Sequence, residues 1–146
     1  MNRFELLKLL QKTIQEELVI CNIGLPSQEL YQINDQPNYF YMLGSMGLSS
    51  SIGLGLALSI NKNVISIDGD GSVLMNMNTL ATIGNRAPSN YTLLIIDNAS
   101  YGSTGDQKTF TGERTSLKDV ATVSYTHLRA HETLRYLVCR RRREKK

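Results

Sequence analysis

Two apolar runs without polar alternation stand out along the chain, VISID at 64–68 and YTLLIID at 91–97. Short runs of this kind, rich in β-branched residues, are typical of strands that are buried on both faces of a parallel sheet. Between them, apolar residues recur at helical spacing as far as Gly84 and Asn85, a pair that favours the end of a helix. The pattern therefore predicts two neighbouring parallel strands joined by a right-handed helical crossover.

The rest of the hydrophobic pattern predicts the same class of structure. Helical and strand periods alternate along the chain, and no internal repeat is present. The expected helices are 4–14, 27–33 and 48–60, and the expected further strands are 18–24 and 39–43. We predict one α/β domain with a doubly wound, mostly parallel sheet.

Two further expectations concern glycine and polar content. Glycine weakens a helix interior by ~1 kcal/mol relative to alanine, so Gly53 and Gly55 inside an apolar helix indicate close packing on the sheet. The polar segment from Asn98 to Ser116 contains three glycines and is expected to form a mobile loop.

Polar residues follow the predicted strands at 64–68 and 91–97. Asp70 lies in the string GDGS after the first strand, and Asn98 follows the second. Ligands in open α/β sheets bind beyond the carboxyl ends of the strands, where Gly69 and Gly71 allow a phosphate to approach the backbone and Ser72 adds a hydroxyl. Mg²⁺ takes oxygen ligands from one or two side chains, phosphates and water. The sequence therefore predicts a magnesium diphosphate site with Asp70, Asn98 and one loop carbonyl as protein ligands.

Other interpretations of these residues exist. An Asp-Gly pair alone is ordinary turn chemistry. A metal-dependent phosphatase, or a magnesium-dependent phosphate- or nucleotide-binding module, could also use Asp70 at a strand end. Such a module would need further carboxylates near Asp70, and the sequence gives no sign of them.

The motif resembles the diphosphate-binding signature of thiamine diphosphate enzymes, in which GDG precedes an Asn by some two dozen residues. More narrowly, NIGLPSQELY, FYMLGSMGLSSSIGLGLAL, IDGDGSVLMNMNTLATIGN and IIDNASYGSTGDQ resemble the sulfopyruvate decarboxylase β-subunit family, with phosphonopyruvate decarboxylases as near relatives. The resemblance covers roughly 19–107. It departs from the family at 106–109, where DQKT stands in place of GQPT.

The resemblance implies thiamine diphosphate and Mg²⁺ as cofactors, and it implies a role for each matching residue. Asp70, Asn98 and the carbonyl of Ser100 would bind the metal ion, and a second group would hold the diphosphate. The GSMG segment would receive the aminopyrimidine, with the Gly44 carbonyl and the Met46 N–H at its edge and the Met46 side chain supporting the bent cofactor. The implied cofactor-binding residues are Gly44, Ser45, Met46, Gly69, Gly71, Ser72 and Ser100.

The resemblance also implies a partner. A chain of 146 residues corresponds to about one domain. The family needs a second domain that presents a glutamate to the cofactor, so we expect an α subunit carrying the pyrimidine-binding domain and the catalytic glutamate. The implied reaction converts 3-sulfopyruvate, an anionic 2-oxo acid, to sulfoacetaldehyde and CO₂ in coenzyme M synthesis. Phosphonopyruvate decarboxylase and acetolactate synthase-like subunits are the alternatives within the superfamily.

The last part of the chain differs in composition. Residues 1–122 contain 8 Lys+Arg and 11 Asp+Glu, whereas residues 123–146 contain 8 and 2, so their formal charges are −3 and +6. VSYTHLRAHET resembles translated sequencing-adapter sequence, and we predict a cofactor domain at 1–122 followed by a non-native tail at 123–146. The family's last strands are then missing, so the sheet should be incomplete at its C-terminal end, with the edge at Leu93–Ile96 uncovered.

The tail also holds features that would otherwise suggest function. His127 and His131 with Glu132 could suggest a metal site, and the basic run Arg140–Arg143 could suggest nucleic-acid binding. We discount both with the tail and predict no nucleic-acid partner. Residues 1–122 contain no histidine, which excludes histidine acid–base catalysis by that part of the chain.

Compartment and membrane expectations follow from a few residues. Cys21 lies in an apolar strand, and without a second cysteine in 1–122 there is no disulfide framework, as suits a reducing compartment. The apolar run 42–60 is interrupted by glycine and serine, which is unlike a membrane span of ~20 apolar residues. We predict a cytoplasmic protein with no membrane partner.

Overall fold

The computed structural model describes residues 2–124, 128–131 and 136–139. Its main sheet has six strands in the order β2-β1-β3-β4-β8-β7, and a separate two-stranded sheet is formed by β5 and β6. The strands are β1 Leu18–Cys21, β2 Tyr39–Tyr41, β3 Val64–Gly69, β4 Tyr91–Ile96, β5 Ser100–Tyr101, β6 Gln107–Lys108, β7 Leu128–His131 and β8 Tyr136–Cys139. The helices are α1 Arg3–Gln11, α2 Leu25–Ile33, α3 Ser49–Ser59, α4 Asp70–Met75, α5 Asn78–Arg86 and α6 Leu117–Val123, with a 3₁₀ turn at Phe110–Gly112.

The parallel part of the sheet confirms the predicted βαβ unit. β2 pairs with β1, β1 with β3 and β3 with β4, all in parallel. In the β3–β4 register Asp68 lies opposite Ile95 and Gly69 opposite Ile96, so the two strands end side by side. This register places the residues that follow each strand at one edge of the sheet.

Helices cover both faces of the sheet, as a doubly wound fold requires. On one face, α3, α5 and α6 pack through Leu54, Leu80 and Ala121 against alternate positions of the central strands. On the other face, α1 and α2 pack through Leu7 and Leu30 against Val19, Cys21, Ile67 and Leu94. The central strands are buried on both sides, which explains why their sequences lack polar alternation.

The helix predicted after β3 is divided into α4 and α5. Asn76 leaves the helical conformation, with φ −142° and ψ 47°. Its side-chain amide donates to the Gly47 carbonyl at 2.7 Å and to Ser51 Oγ at 2.9 Å. The second helix also runs past the predicted stop and ends at Arg86, because Ala87 adopts a left-handed conformation with φ 40°. The break between α4 and α5 is therefore explained by the bonds from Asn76 to Gly47, before α3, and to Ser51, in its first turn.

The segment 98–116 is more regular than a plain loop. It contains the β5–β6 hairpin and the 3₁₀ turn, and Thr109 N–H donates to the Ala99 carbonyl at 3.1 Å. The segment is thus a loop with its own hydrogen-bonded structure, and its position over the cofactor remains a prediction. Its mobility remains a prediction.

The C-terminal edge of the sheet also differs from the expectation. β8 pairs antiparallel with β4, and Leu93 lies opposite Cys139 and Ile96 opposite Tyr136. β7 then pairs antiparallel with β8. The prediction of an uncovered edge at Leu93–Ile96 was therefore wrong. His127, Glu132 and the basic run 140–143 lie outside the described residues.

No helix in the described part of the chain is long and apolar enough to cross a membrane.

The two glycines of α3 differ in their surroundings. A Cβ atom on Gly53 would lie 2.0 Å from Ser66 Oγ and 3.0 Å from the Tyr91 ring, whereas a Cβ on Gly55 meets nothing within 4 Å. Close packing on the sheet is thus confirmed for Gly53 and was wrong for Gly55.

We expect Gly53→Ala to destabilise the chain by about 1–3 kcal/mol, because the added methyl displaces the Ser66 hydroxyl from its 3.0 Å bond to the Ser49 carbonyl. Gly55→Ala is the matched control and should stabilise by up to about 1 kcal/mol through helix propensity. Chemical denaturation of the two variants measures both effects. Equal stabilities would contradict the packing described for Gly53.

Candidate functional site

The candidate site lies at the carboxyl-end edge of β3 and β4. Asp70 directly follows β3 and begins α4, and Asn98 follows β4 by two residues. The structure brings them together as the strand spacing predicted. Asp70 is 1 % exposed, whereas Asn98 is exposed, so the pair lies at the boundary between the protein interior and solvent.

One oxygen of the Asp70 carboxylate is bonded to hydroxyl groups. Thr109 Oγ1 donates to Asp70 Oδ2 at 2.5 Å, and Thr111 Oγ1 lies 2.9 Å from the same oxygen. Both threonines are buried. The sequence did not predict either threonine as a site residue, although Thr109, like Gln107, matches the GQPT string of the family.

The other oxygen of Asp70 faces Asn98 and Ser100. One terminal atom of the Asn98 carboxamide lies 3.0 Å from Asp70 Oδ1 and 2.9 Å from the Ser100 carbonyl oxygen. With its nitrogen in that place, the amide donates to both oxygens. With its oxygen there, the amide oxygen faces the Asp70 and Ser100 oxygens, and a cation held by these oxygens would offset their repulsion.

The spacing of these atoms fits Mg²⁺. Neighbouring ligands of an octahedral ion with metal–oxygen distances of 2.0–2.1 Å are separated by about 3.0 Å. The Asn98 terminal atom has this separation from both Asp70 Oδ1 and the Ser100 carbonyl oxygen. The same separations suit hydrogen bonds from the Asn98 amide nitrogen, so Mg²⁺ coordination by Asp70, Asn98 and Ser100 stays a prediction that this geometry allows.

The backbone between Asn98 and Ser100, the two ligands predicted on the β4 side, is strained. Ala99 has φ 58°, a conformation that residues with a Cβ rarely adopt. Its N–H donates to Asp97 Oδ1 at 3.0 Å, and its carbonyl accepts the Thr109 N–H. Such strain costs about 1–3 kcal/mol and is typical of binding and catalytic sites.

The predicted diphosphate segment is packed closely. A Cβ on Gly71 would lie 2.4 Å from Cε1 of Tyr101, so glycine is needed at this position because the Tyr101 ring lies against it. Ser72 is fully buried, and its hydroxyl accepts the Gly47 N–H at 2.9 Å and lies 3.3 Å from Asn22 Oδ1. Gly69 caps α4 and its N–H donates to Asp68. Ser72 thus links the GDGS and GSMG segments.

The GSMG segment begins three residues after β2. Gly44 and Ser45 are exposed and Met46 is half-buried. Ser45 has φ 57°, and Gly47 has φ 93° where a Cβ would lie 3.2 Å from the Ser72 carbonyl oxygen. These positions leave the segment open to a ligand from solvent while anchoring its last residue against α4.

One further carboxylate, that of Asp97, lies near Asp70, contrary to the sequence expectation, and a second, that of Asp68, lies two residues before it in the chain. Asp97 Oδ1 lies 2.8 Å from Thr111 Oγ1, the same hydroxyl that contacts Asp70. Asp68 is fully buried, and its Oδ2 accepts a 2.5 Å bond from Ser49 Oγ. Burial raises the pKa of Asp68 to about 6, although the Ser49 bond opposes this shift. Even so, the described residues contain no cluster of three or more His, Cys, Asp or Glu that could hold a metal.

The family is decided by comparison with known domains. The model of the thiamine pyrophosphate enzyme C-terminal TPP binding domain matches residues 21–135. The chain belongs to this family. A putative thiamin diphosphate-dependent enzyme from Mycobacterium smegmatis has the same fold, with a TM-score of 0.70 at 16 % identity over 85 % of this chain and 25 % of that one.

Two curated relatives place this TPP binding domain more narrowly. It is 62 % identical over 109 residues to sulfopyruvate decarboxylase subunit beta of Methanococcus maripaludis, covering 75 % of this chain and 59 % of the relative. It is 42 % identical over 102 residues to phosphonopyruvate decarboxylase of Streptomyces viridochromogenes, covering 70 % of this chain and 26 % of that protein. The chain thus spans about three fifths of the length of the first relative.

For this TPP binding domain, we expect Asp70→Asn to weaken Mg²⁺-dependent cofactor binding at least tenfold. The substitution keeps the size of the side chain and removes its charge, and charged ligands supply much of the affinity for Mg²⁺. Asp35→Asn, which removes a charge from an exposed residue bonded to Tyr41, is the matched control. Titration calorimetry of thiamine diphosphate with Mg²⁺ measures the change. Equal affinities of the two variants would refute the role of Asp70.

Proposed function

We propose that this chain is a subunit of a thiamine diphosphate-dependent decarboxylase that converts 3-sulfopyruvate to sulfoacetaldehyde and CO₂ in coenzyme M synthesis. The convergence of Asp70 Oδ1, the Asn98 carboxamide and the Ser100 carbonyl in a TPP binding domain carries the cofactor part of the proposal. The 62 % identity to a sulfopyruvate decarboxylase β subunit supports the choice of substrate.

In this proposal the metal ion is Mg²⁺, held by Asp70, Asn98 in its oxygen-inward orientation and the Ser100 carbonyl. The remaining positions of an octahedral ion are left for diphosphate oxygens and water. We assign the diphosphate to Gly69, Gly71 and Ser72 at the start of α4. There the Ser72 hydroxyl accepts the Gly47 N–H and so connects this segment to the GSMG segment.

The aminopyrimidine is assigned to the segment Gly44, Ser45 and Met46. The exposed backbone of Gly44 and Ser45 is free to approach a ligand, and the half-buried Met46 presents an adaptable apolar side chain to it. The left-handed conformation of Ser45 turns the chain sharply at this point. The side-chain amide of Asn76 donates to the Gly47 carbonyl and fixes the end of the segment.

When bound, thiamine diphosphate supplies the carbon nucleophile and the electron sink for decarboxylation. The residues of this chain fix the position of the cofactor by binding its metal ion and its two ends. Catalysis also requires a glutamate, which we assign to an α subunit with the pyrimidine-binding domain. The cytoplasmic location remains a prediction.

The domain limits belong to the same proposal. The assigned site residues, and the hydrogen-bond partners described above for Asp70, Ser72 and Gly69, lie between Asn22 and Thr111. We therefore infer that 1–122 forms the cofactor-binding unit and that the non-native tail, 123–146, takes no part in binding. Its strand β8 pairs with Leu93–Ile96 of β4, which ends two residues before Asn98.

A phosphonopyruvate decarboxylase is the second candidate, supported by the 42 % identity to the Streptomyces protein. The two substrates share the 2-oxo acid and differ in the charged group at carbon 3. A magnesium-dependent phosphate- or nucleotide-binding module is the alternative of another class, and the proximity of Asp97 to Asp70 through Thr111 favours it. Such a module would bind Mg²⁺ and phosphates without decarboxylating either acid.

We expect this chain with its α subunit to decarboxylate sulfopyruvate with kcat/KM at least tenfold above that for phosphonopyruvate, and we expect this chain alone to be inactive. The reason is that the chain supplies only one end of the cofactor site. Release of CO₂ with thiamine diphosphate and Mg²⁺ is the measurement. Sustained turnover by the single chain would contradict the need for a partner, and preference for phosphonopyruvate would replace the proposed substrate.

A further inference from the structure

The two oxygens of the Asp70 carboxylate have different surroundings. Oδ1 faces the Asn98 carboxamide at 3.0 Å, on the side of the proposed metal ion. Oδ2 is surrounded by the hydroxyl groups of Thr109 and Thr111, at 2.5 and 2.9 Å. All three residues that meet at Oδ2 are at most 6 % exposed. The carboxylate therefore offers one oxygen to a ligand and keeps the other bonded to the protein.

The segment that carries these threonines is also tied to the other proposed ligands. Thr109 N–H donates to the Ala99 carbonyl at 3.1 Å, and Ala99 lies between Asn98 and Ser100. Thr111 Oγ1 lies 2.8 Å from Asp97 Oδ1, which in turn accepts the Ala99 N–H at 3.0 Å. One segment thus fixes the end of β3 relative to the end of β4.

The two hydroxyl groups are not equivalent. Each has one proton to donate, and Thr109 makes the shorter contact with Asp70. The Thr111 proton serves Asp70, Asp97 or the Thr109 hydroxyl, whose oxygens all lie within 2.9 Å of the Thr111 oxygen. Thr109 is therefore the principal donor to Oδ2, and Thr111 connects the two carboxylates.

We propose that Thr109, assisted by Thr111, is a positioning residue that restricts Asp70 to one-oxygen coordination and so makes the site prefer Mg²⁺ to Ca²⁺. Ca²⁺ accepts carboxylates through one or two oxygens at 2.3–2.6 Å, whereas Mg²⁺ requires a near-octahedral set of oxygens at 2.0–2.1 Å, which favours one oxygen from each carboxylate. A hydroxyl proton on Oδ2 opposes the two-oxygen mode. The inference rests on the proposed function, because it assumes that Asp70 binds the metal ion.

The test compares Mg²⁺ and Ca²⁺ binding by the complete enzyme with saturating thiamine diphosphate, using titration calorimetry with MgCl₂ or CaCl₂. We expect Thr109→Val to weaken Mg²⁺ binding by about tenfold, as is usual when a partner of a ligand is lost, and to weaken Ca²⁺ binding by less. Thr109→Ser keeps the hydroxyl and should restore the wild-type ratio of the two dissociation constants. Thr111→Val should shift the ratio in the same direction by a smaller factor.

Thr122→Val is the matched control, because this exposed threonine bonds only its own helix through the Lys118 carbonyl. Thermal melts confirm that each variant is folded, and Thr111→Val carries the test should Thr109→Val fail to fold. Equal loss of Mg²⁺ and Ca²⁺ affinity, or no loss, would overturn the inference and leave the proposed function intact. A wild-type enzyme that binds thiamine diphosphate without any divalent ion would overturn both.

Discussion

The parallel pairing of β3 with β4 is the constraint on which the candidate site depends. Because Gly69 lies opposite Ile96, the residues after the two strands emerge at one edge of the sheet, although Asn98 lies 28 positions after Asp70 in the chain. A register shift by one residue would turn each side chain of the strand to the opposite face of the sheet, away from the helices against which it now packs. The apolar packing on both faces thus fixes the distance between two polar side chains.

The second constraint on the site is the burial of the Asp70 carboxylate. A carboxylate removed from water is costly unless it is hydrogen-bonded or paired with a cation. The structure supplies hydroxyl donors to one of its oxygens, and a metal ion would supply the charge for the other. Asp68 lies two residues earlier with no exposed surface, and its burial raises its pKa because the interior disfavours the charged form of the carboxyl group.

The sequence was sufficient for the features that depend on local pattern. The strands around Ile67 and Leu94, the apolar helix before them and the Asp70–Asn98 pair all follow from periodicity and strand order. It was insufficient where a distant side chain decides the result. Asn76 ends α4 by bonding Gly47, and Gly71 is required by the ring of Tyr101, 30 positions away. Thr109 and Thr111 were missed because hydroxyl residues in a polar segment carry no periodic signal.

Anomalous diffraction from crystals of the complete enzyme with Mn²⁺ and thiamine diphosphate tests the central claim most directly, because Mn²⁺ shares the oxygen ligands of Mg²⁺ and can be located on its own. The account predicts one strong peak bounded by Asp70 Oδ1, the Asn98 side-chain oxygen and the Ser100 carbonyl oxygen. It also predicts that Asp70 Oδ2 remains bonded to Thr109. A peak elsewhere, or Asn98 with its nitrogen toward Asp70 in the loaded enzyme, would contradict the account.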